Sequence, residues 1–177
     1  MFLQKNINKN LIIMNHKRII LCGPSCSGKT FMRESFEKRG FKCDVSHTSR
    51  SPREGEVNGV HYIFTPREEF VENPDKFYEQ VEYGGNFYGT SVDGWNTSDV
   101  FIMETDGVSK IRKEDRPFCM VIYVNTPMGI RVKRMKERGW SQEKIYDRIT
   151  IDEKKFDGFS DYDIVVSSGK LITGIEI

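Results

Sequence analysis

Residues 23–30 read Gly23-Pro24-Ser25-Cys26-Ser27-Gly28-Lys29-Thr30 and directly follow the apolar run 19–22. They fit the pattern G-x-x-x-x-G-K-[ST], in which backbone N–H groups wrap around the phosphates of a nucleoside triphosphate. The helical segment that follows would point its N-terminus at the same anion. Lys29 would then reach the β- and γ-phosphates, and the Thr30 hydroxyl would hold Mg²⁺. The segment therefore predicts an ATP-type triphosphate site lined by residues 23–30.

Apolar runs alternate with helical patterns along the chain, as in a parallel sheet flanked by helices. Strands are predicted at 18–22, 43–45, 100–104, 118–124 and 163–166, and helices at 29–39 and 128–138. The runs 18–22 and 118–124 are almost wholly apolar, which is typical of strands buried on both faces. We therefore predict an α/β fold whose core comprises residues 17–45 and 93–177.

Residues 46–92 have a different pattern, with short aromatic segments divided by Pro and Gly. This pattern predicts a small mixed or antiparallel lobe inserted into the α/β core. The segment 1–16 is punctuated by Asn and Lys and is predicted to be a flexible arm. The tail 169–177 is too short for a full helix and is expected to be a strand or a loose end.

Composition excludes several classes of partner. The chain has 177 residues with 27 Lys and Arg against 26 Asp and Glu, and a net charge of +1 gives no field that would attract a polyanion. No segment is long and apolar enough for a membrane span, and none resembles a signal peptide. The four cysteines form no C-x-x-C pair. We expect a cytoplasmic protein with reduced thiols, no nucleic-acid or membrane partner, and a monomeric or homodimeric state.

Arginines cluster in the segment before Gly139. Arg131, Arg134 and Arg138 are spaced by three and four residues, so they share one face of the predicted helix. A solvated helix face is one interpretation. Because a triphosphate site is predicted on the same sheet and Gly139 interrupts the helix, we favour a helical lid at about 136–150 that closes over the phosphates.

A second pair of arginines lies in the predicted lobe. Arg50 and Arg53 are three residues apart, on a segment in which Pro52 and Gly55 prevent a regular helix. Two guanidinium groups on such a turn can converge on one phosphate, which suits their planar, bidentate geometry. The spacing alone is also compatible with a solvated surface loop.

The segment 46–59 resembles the signature of guanylate kinases, S-x-T-x-R-x-P-R-x-G-E-x-x-G. The resemblance continues in order through Tyr62, Glu79, 85–90, 104–106, 138–139 and Arg148, and covers about 18–167. Members of this family transfer the γ-phosphate of ATP to GMP or dGMP with Mg²⁺. The resemblance implies the same activity here, with a P-loop kinase core, a GMP-binding lobe and a lid.

The resemblance also implies roles for individual residues. The acceptor phosphate would be held by Arg50, Arg53, Tyr62 and Tyr88, and guanine by Ser46, Glu79, Thr90 and Asp106. Lys29, Arg138 and Arg148 would be catalytic, and Arg134 a further contact of ATP. Glu104 would support Mg²⁺ through water, although an ion pair at the end of its strand explains that carboxylate equally well.

Two departures from the family pattern and two alternatives accompany this interpretation. Cys26 stands where the family usually has Gly, either as a tolerated substitution or as a redox-sensitive thiol. The short tail leaves the contacts of adenine open. The alternatives are a kinase for another small phosphorylated acceptor and a catalytically inactive module that binds phosphopeptides. The residues assigned to guanine argue against the first alternative. The intact phosphate loop and the lid arginines argue against the second.

Overall fold

Two sheets, each of four strands, organise the described part of the chain. The structure is a computed structural model that describes residues 18–83 and 85–167. Within these residues the strands are β1 (Arg18–Cys22), β2 (His47–Thr48), β3 (Ile63–Phe64), β4 (Phe77–Tyr83), β5 (Asn86–Ser91), β6 (Val100–Ile102), β7 (Cys119–Val124) and β8 (Ile164–Val166). The α-helices are α1 (Lys29–Glu37), α2 (Arg67–Glu72), α3 (Val92–Thr97), α4 (Thr105–Ser109), α5 (Met128–Glu137) and α6 (Gln142–Phe156).

The first sheet has the order β6-β1-β7-β8 and is parallel throughout. Ile20 and Cys22 of the central strand β1 pack into one hydrophobic cluster, and Leu21 packs into another on the opposite face. All three side chains are completely buried. Side chains alternate across a strand, so apolar residues at successive positions require cover on both faces. The predicted α/β core with a doubly buried sheet is confirmed.

The predicted strand at 43–45 is wrong. Only Cys43 pairs with the sheet, through an isolated parallel bridge to Val100 at the beginning of β6. The N–H of Asp44 donates to the carbonyl of Val100 at 2.8 Å, after which the chain leaves this edge for the second sheet. The other predicted strands and helices are present, with ends that differ by one or two residues, as where α1 ends at Glu37 and β6 at Ile102.

The second sheet has the order β3-β2-β5-β4 and lies in the segment that was predicted to be an inserted lobe. Strands β2 and β3 are parallel, whereas β5 is antiparallel to both β2 and β4, so the sheet is mixed. Phe70 of α2 stacks on Phe77 and Phe87, with ring centroids at 4.3 and 5.3 Å. This aromatic stack gives the small sheet a hydrophobic core of its own.

The break that was predicted in the arginine-rich segment is present between α5 and α6. Gly139 has a φ of 74°, a left-handed conformation that favours glycine. Helix α6 then begins after Ser141, whose Oγ accepts from the N–H of Lys144 at 3.2 Å. The predicted arm 1–16 and tail 169–177 lie outside the described residues. Within those residues, no helix is long and apolar enough to cross a membrane.

Candidate active site

One cavity of about 470 Å³ brings together most of the residues that the sequence singled out. It receives side chains from the loop after β1, from the second sheet and from the α5–α6 region, at the carboxyl edge of the parallel strands where α/β folds bind ligands. The predicted residues in its lining are Ser25, Cys26, Lys29, Thr30, Ser46, Arg50, Arg53, Tyr62, Glu79, Tyr88, Glu104, Arg138 and Arg148. Gly23, Pro24, Ser27, Gly28, Thr90, Asp106 and Arg134 are not in its lining.

Hydrogen bonds from Arg134 stabilise the loop 23–28. Nη1 of Arg134 donates to the carbonyls of Cys26 and Ser27, at 2.9 and 3.1 Å. Gly28, with a φ of 113°, is the N-cap of α1 and turns the chain into that helix. In this structure Arg134 therefore shapes the phosphate loop rather than lining the cavity.

The Lys29 ammonium group lies within the phosphate loop. Its Nζ donates to the carbonyls of Gly23 and Pro24, the second at 3.0 Å. Burial lowers the pKa of Lys29, and the nearby Glu104 carboxylate opposes that effect. An enclosed cation at this point is placed to neutralise an incoming phosphate.

Cys26 has a backbone conformation that explains why glycine suits its position. Its φ is 59°, in the left-handed region, where it stands alone among the non-glycine residues that the structure describes. The side chain packs at the margin of a hydrophobic cluster that contains Met135, Ile145 and Ile149 of the two arginine-bearing helices. That packing offsets part of the conformational cost. Whether the thiol is redox-active stays a prediction.

The arginine turn is organised by Glu56, a residue without a predicted role. Its two carboxylate oxygens accept from Nη1 and Nη2 of Arg50, each at 2.9 Å. One of them also accepts from the N–H of Arg53 at 2.8 Å. The Arg50 guanidinium lies over the ring of Tyr62, 5.3 Å from its centroid. Glu56 is the acidic residue of the signature at 46–59. Its place in that signature was the sequence feature that could have predicted its role.

A buried carboxylate, Glu79, also lines the cavity. One of its oxygens accepts from the N–H of Thr90 at 3.1 Å, and the Thr90 hydroxyl also hydrogen-bonds to the carboxyl group. Its second oxygen faces Gly107 of α4, where a Cβ would stand 3.3 Å away. Burial raises the pKa of Glu79 to about 7, and the Thr90 hydrogen bonds only partly oppose this. The site thus offers a desolvated hydrogen-bond acceptor.

The pKa of Glu79 predicts a pH-dependent stability. Its folded pKa of about 7 exceeds the ordinary value of 4.5, so the proton stabilises the fold fully below about pH 4.5 and that contribution is lost as pH rises toward 7. Relative to Glu79→Gln, the wild-type free energy of unfolding should fall by about 3 kcal/mol over this range. Urea unfolding of both proteins near pH 4.5, 6 and 8 measures the difference. Parallel pH profiles would contradict the assignment, and the exposed Glu72→Gln is the control.

Ion pairs hold Arg148 beside the loop. Its Nη2 donates to Glu104 at 3.1 Å, and Lys155 donates both to Glu104 and to Asp106, at 3.0 Å each. Burial alone would raise the pKa of Glu104, but Arg148, Lys155 and Lys29 outweigh it and hold the pKa below its usual range. Glu104 therefore makes the ion pairs that the sequence allowed at the end of its strand. Asp106 is in the first turn of α4 and faces Lys155 rather than the cavity.

Arg131 and Arg134 of α5 and Arg138 just after it do not act as one exposed face. Arg138 follows the end of the helix, is exposed and lines the cavity. Arg131 is buried and pairs with Asp152 of α6 at 3.1 Å, so the expectation of a lid face that includes Arg131 is wrong. The Asp152 carboxylate on the neighbouring helix supplies the counter-charge that allows Arg131 to be buried. Asp152 was not among the predicted residues, although its position four residues after Arg148 was a signal for an ion pair.

The phosphate loop on a parallel α/β sheet, with a lysine inside it and arginines across the same cavity, defines a P-loop kinase. The sequence profile of the family described as Guanylate kinase matches residues 15–175. The chain belongs to the guanylate kinase family and is a phosphotransferase.

Individual relatives agree with this assignment. Guanylate kinases of a Bacillus cereus strain and of Bacillus anthracis are each 36% identical to the chain over 166 residues, which cover 86% of this chain and 80% of each relative. The crystal structure of guanylate kinase from Anaplasma phagocytophilum matches with a TM-score of 0.60 and 22% identity, over 88% of this chain and 78% of that one. That structure shares the fold.

Proposed function

We propose that this protein transfers the γ-phosphate of ATP to GMP or dGMP and releases ADP and GDP or dGDP. The observation that carries the proposal is the single cavity that holds Lys29 of the phosphate loop, the arginine turn at Arg50 and the buried carboxylate of Glu79. A triphosphate donor, an acceptor phosphate and an acceptor base each have a chemically matched group in that space. The family membership of the chain supports the same reaction.

The acceptor half suits guanine. The Glu79 carboxylate can accept from N1–H and from the exocyclic amine, which adenine cannot offer as a pair. The hydroxyls of Ser46 and Thr90 would donate to O6, and the Thr90 hydroxyl would then turn from Glu79 toward the base. An unmatched base would leave the buried carboxylate unpaired, and such mismatches discriminate strongly between substrates.

The acceptor phosphate would lie against the arginine turn. Arg50 is held by Glu56 with its guanidinium group over Tyr62, and the Tyr62 and Tyr88 rings lie 6.2 Å apart. Two tyrosine hydroxyls beside the Arg50 and Arg53 guanidinium groups can bind several phosphate oxygens at once. Rigid placement of the acceptor is the main contribution that such a site makes to catalysis.

The donor half fits Mg²⁺·ATP. The exposed Thr30 at the N-terminus of α1 and the Glu104 carboxylate both line the cavity. Mg²⁺ usually takes one or two protein ligands and completes its shell with water and phosphate oxygens, so this sparse donor set suits it. Thr30 would hold the ion directly and Glu104 through water, and bound Mg²⁺ would neutralise charge on the β- and γ-phosphates.

The transfer needs no general base, since the attacking oxygen belongs to a phosphate that is already anionic. Lys29 would balance charge on the donor, and Arg138 and Arg148 would close over the transferring group. Closure of the α5–α6 lid would also exclude water, a competing acceptor. The residues of this cavity therefore act by positioning the two substrates and by neutralising the charge on their phosphates.

The proposed function predicts a strict order of acceptors. ADP release from ATP·Mg²⁺ should be fast with GMP and dGMP and at least about a hundredfold lower in kcat/KM with AMP, CMP, UMP and dTMP. A coupled ADP assay across this panel measures the order. Activity confined to a non-guanine acceptor would overturn the base assignment. No turnover with any acceptor, together with binding of a phosphopeptide, would overturn the kinase assignment.

A further inference from the structure

Asp152 is the most deeply buried carboxylate that contacts the phosphate loop, and it has no part in the chemistry proposed above. Only 1% of its side chain is exposed. Its Oδ2 accepts from the backbone N–H of Ser25 at 2.9 Å and lies 3.1 Å from Nη1 of Arg131. Its Oδ1 lies 3.4 Å from Oγ of Ser25 and 3.0 Å from Nε of Arg148. One carboxylate thus contacts the loop, α5 and α6.

Burying a carboxylate is costly unless several partners compensate it. Arg131 alone would satisfy the charge of Asp152, and a pair between α5 and α6 would need no contact with the phosphate loop. Here the same carboxylate also accepts from the loop backbone and flanks Arg148. Arg148 is thereby held between two carboxylates, since its Nη2 donates to Glu104. These contacts fix the loop and the lid arginine relative to one another.

We propose that Asp152 is a positioning residue of the donor site, which ties the phosphate loop at Ser25 to the lid arginine Arg148. The proposal rests on the proposed function, because it treats the loop and Arg148 as the groups that receive the donor triphosphate. Asp152 contacts neither the arginine turn nor Glu79. Its loss should therefore affect donor binding and turnover and leave acceptor binding unchanged.

Two variants separate positioning from simple structural support. Asp152→Asn removes the charge and one acceptor oxygen but leaves Arg131 buried without its counter-charge. The double variant Arg131→Met with Asp152→Leu replaces the pair by apolar side chains of similar size, an exchange that buried ion pairs often tolerate. Asp147→Asn makes the same chemical change on an exposed residue of the same helix and serves as the matched control.

Calorimetry with a non-hydrolysable ATP analogue and Mg²⁺ measures donor binding without any acceptor, and steady-state kinetics measures kcat and the KM of GMP. We expect both Asp152 variants to bind the analogue about tenfold more weakly than the wild-type protein does. Their kcat should also be about tenfold lower. The KM of GMP should stay within about twofold of wild type. The double variant should show these defects even though its thermal midpoint is close to that of wild type.

A double variant that binds the analogue as wild type does would overturn the proposal, because Asp152 would then only compensate Arg131. An equal loss of donor and acceptor binding would also overturn it. Absence of GMP turnover in the wild-type protein would count against the proposed function alone, since the donor-binding comparison does not depend on the identity of the acceptor.

Discussion

Replacement of Lys29 by alanine is expected to lower kcat by at least about a thousandfold and to leave the affinity for GMP within about twofold of wild type. The Lys29 ammonium group lies inside the phosphate loop, where it can meet the charge that develops on the donor phosphates. Except for Asp106 on α4, the groups assigned to GMP lie on the strands of the second sheet or directly beside them, and none of the hydrogen bonds described for Lys29 reaches them. The measurement is single-turnover transfer at saturating ATP, with GMP binding by calorimetry.

The control for this substitution is Lys38→Ala, which removes an exposed lysine just after the same helix. It should turn over as the wild-type protein does. A kcat close to wild type in the Lys29 variant would show that the loop lysine is not the catalytic cation. A loss of GMP affinity equal to the loss of kcat would show that the substitution disturbs the whole cavity.

The second prediction with a large expected effect concerns recognition of the guanine base. Glu79→Gln is expected to lower kcat/KM for GMP by about a thousandfold, and the preference for GMP over AMP by at least about a hundredfold. Glutamine has one oxygen in place of two and turns an N–H₂ group toward the guanine donors. The cost is high because the group is buried beside Thr90, with only 8% of the residue exposed, so that little water can replace the lost hydrogen bond.

Competition between GMP and AMP in one reaction measures this preference directly, and Glu72→Gln is the matched control on an exposed surface. An unchanged preference in the Glu79 variant would contradict the assignment of this carboxylate to guanine. A thermal midpoint measured at the assay pH separates a loss of activity from unfolding, since the variant lacks the buried charge that lowers the stability of the wild-type protein above about pH 7.

The parts of this fold that local sequence dictates were predictable. The loop 23–30 follows an apolar strand and opens a helix, so its pattern and its context specify one geometry. The arginine turn was visible because Pro52 and Gly55 exclude a helix there. Both features depend on residues that are close along the chain.

Features that depend on tertiary partners were not predictable. The short run at 43–45 suggested a strand, but β6 offers only its first residue as a partner before the chain moves to the second sheet. Arg131 was grouped with the lid arginines because its counter-charge, Asp152, lies on the next helix. Glu56 belongs to the signature, yet only the structure shows that it fixes Arg50. Ion pairs of this kind require the relative position of elements, which periodicity does not supply.

Quantification of both products of the GMP reaction tests the central claim most directly. With purified protein, ATP, Mg²⁺ and GMP, we predict that GDP and ADP form in equal amounts, and that ADP formation nearly ceases when GMP is omitted. ADP formation that does not depend on GMP, or that is not matched by GDP, would contradict the account.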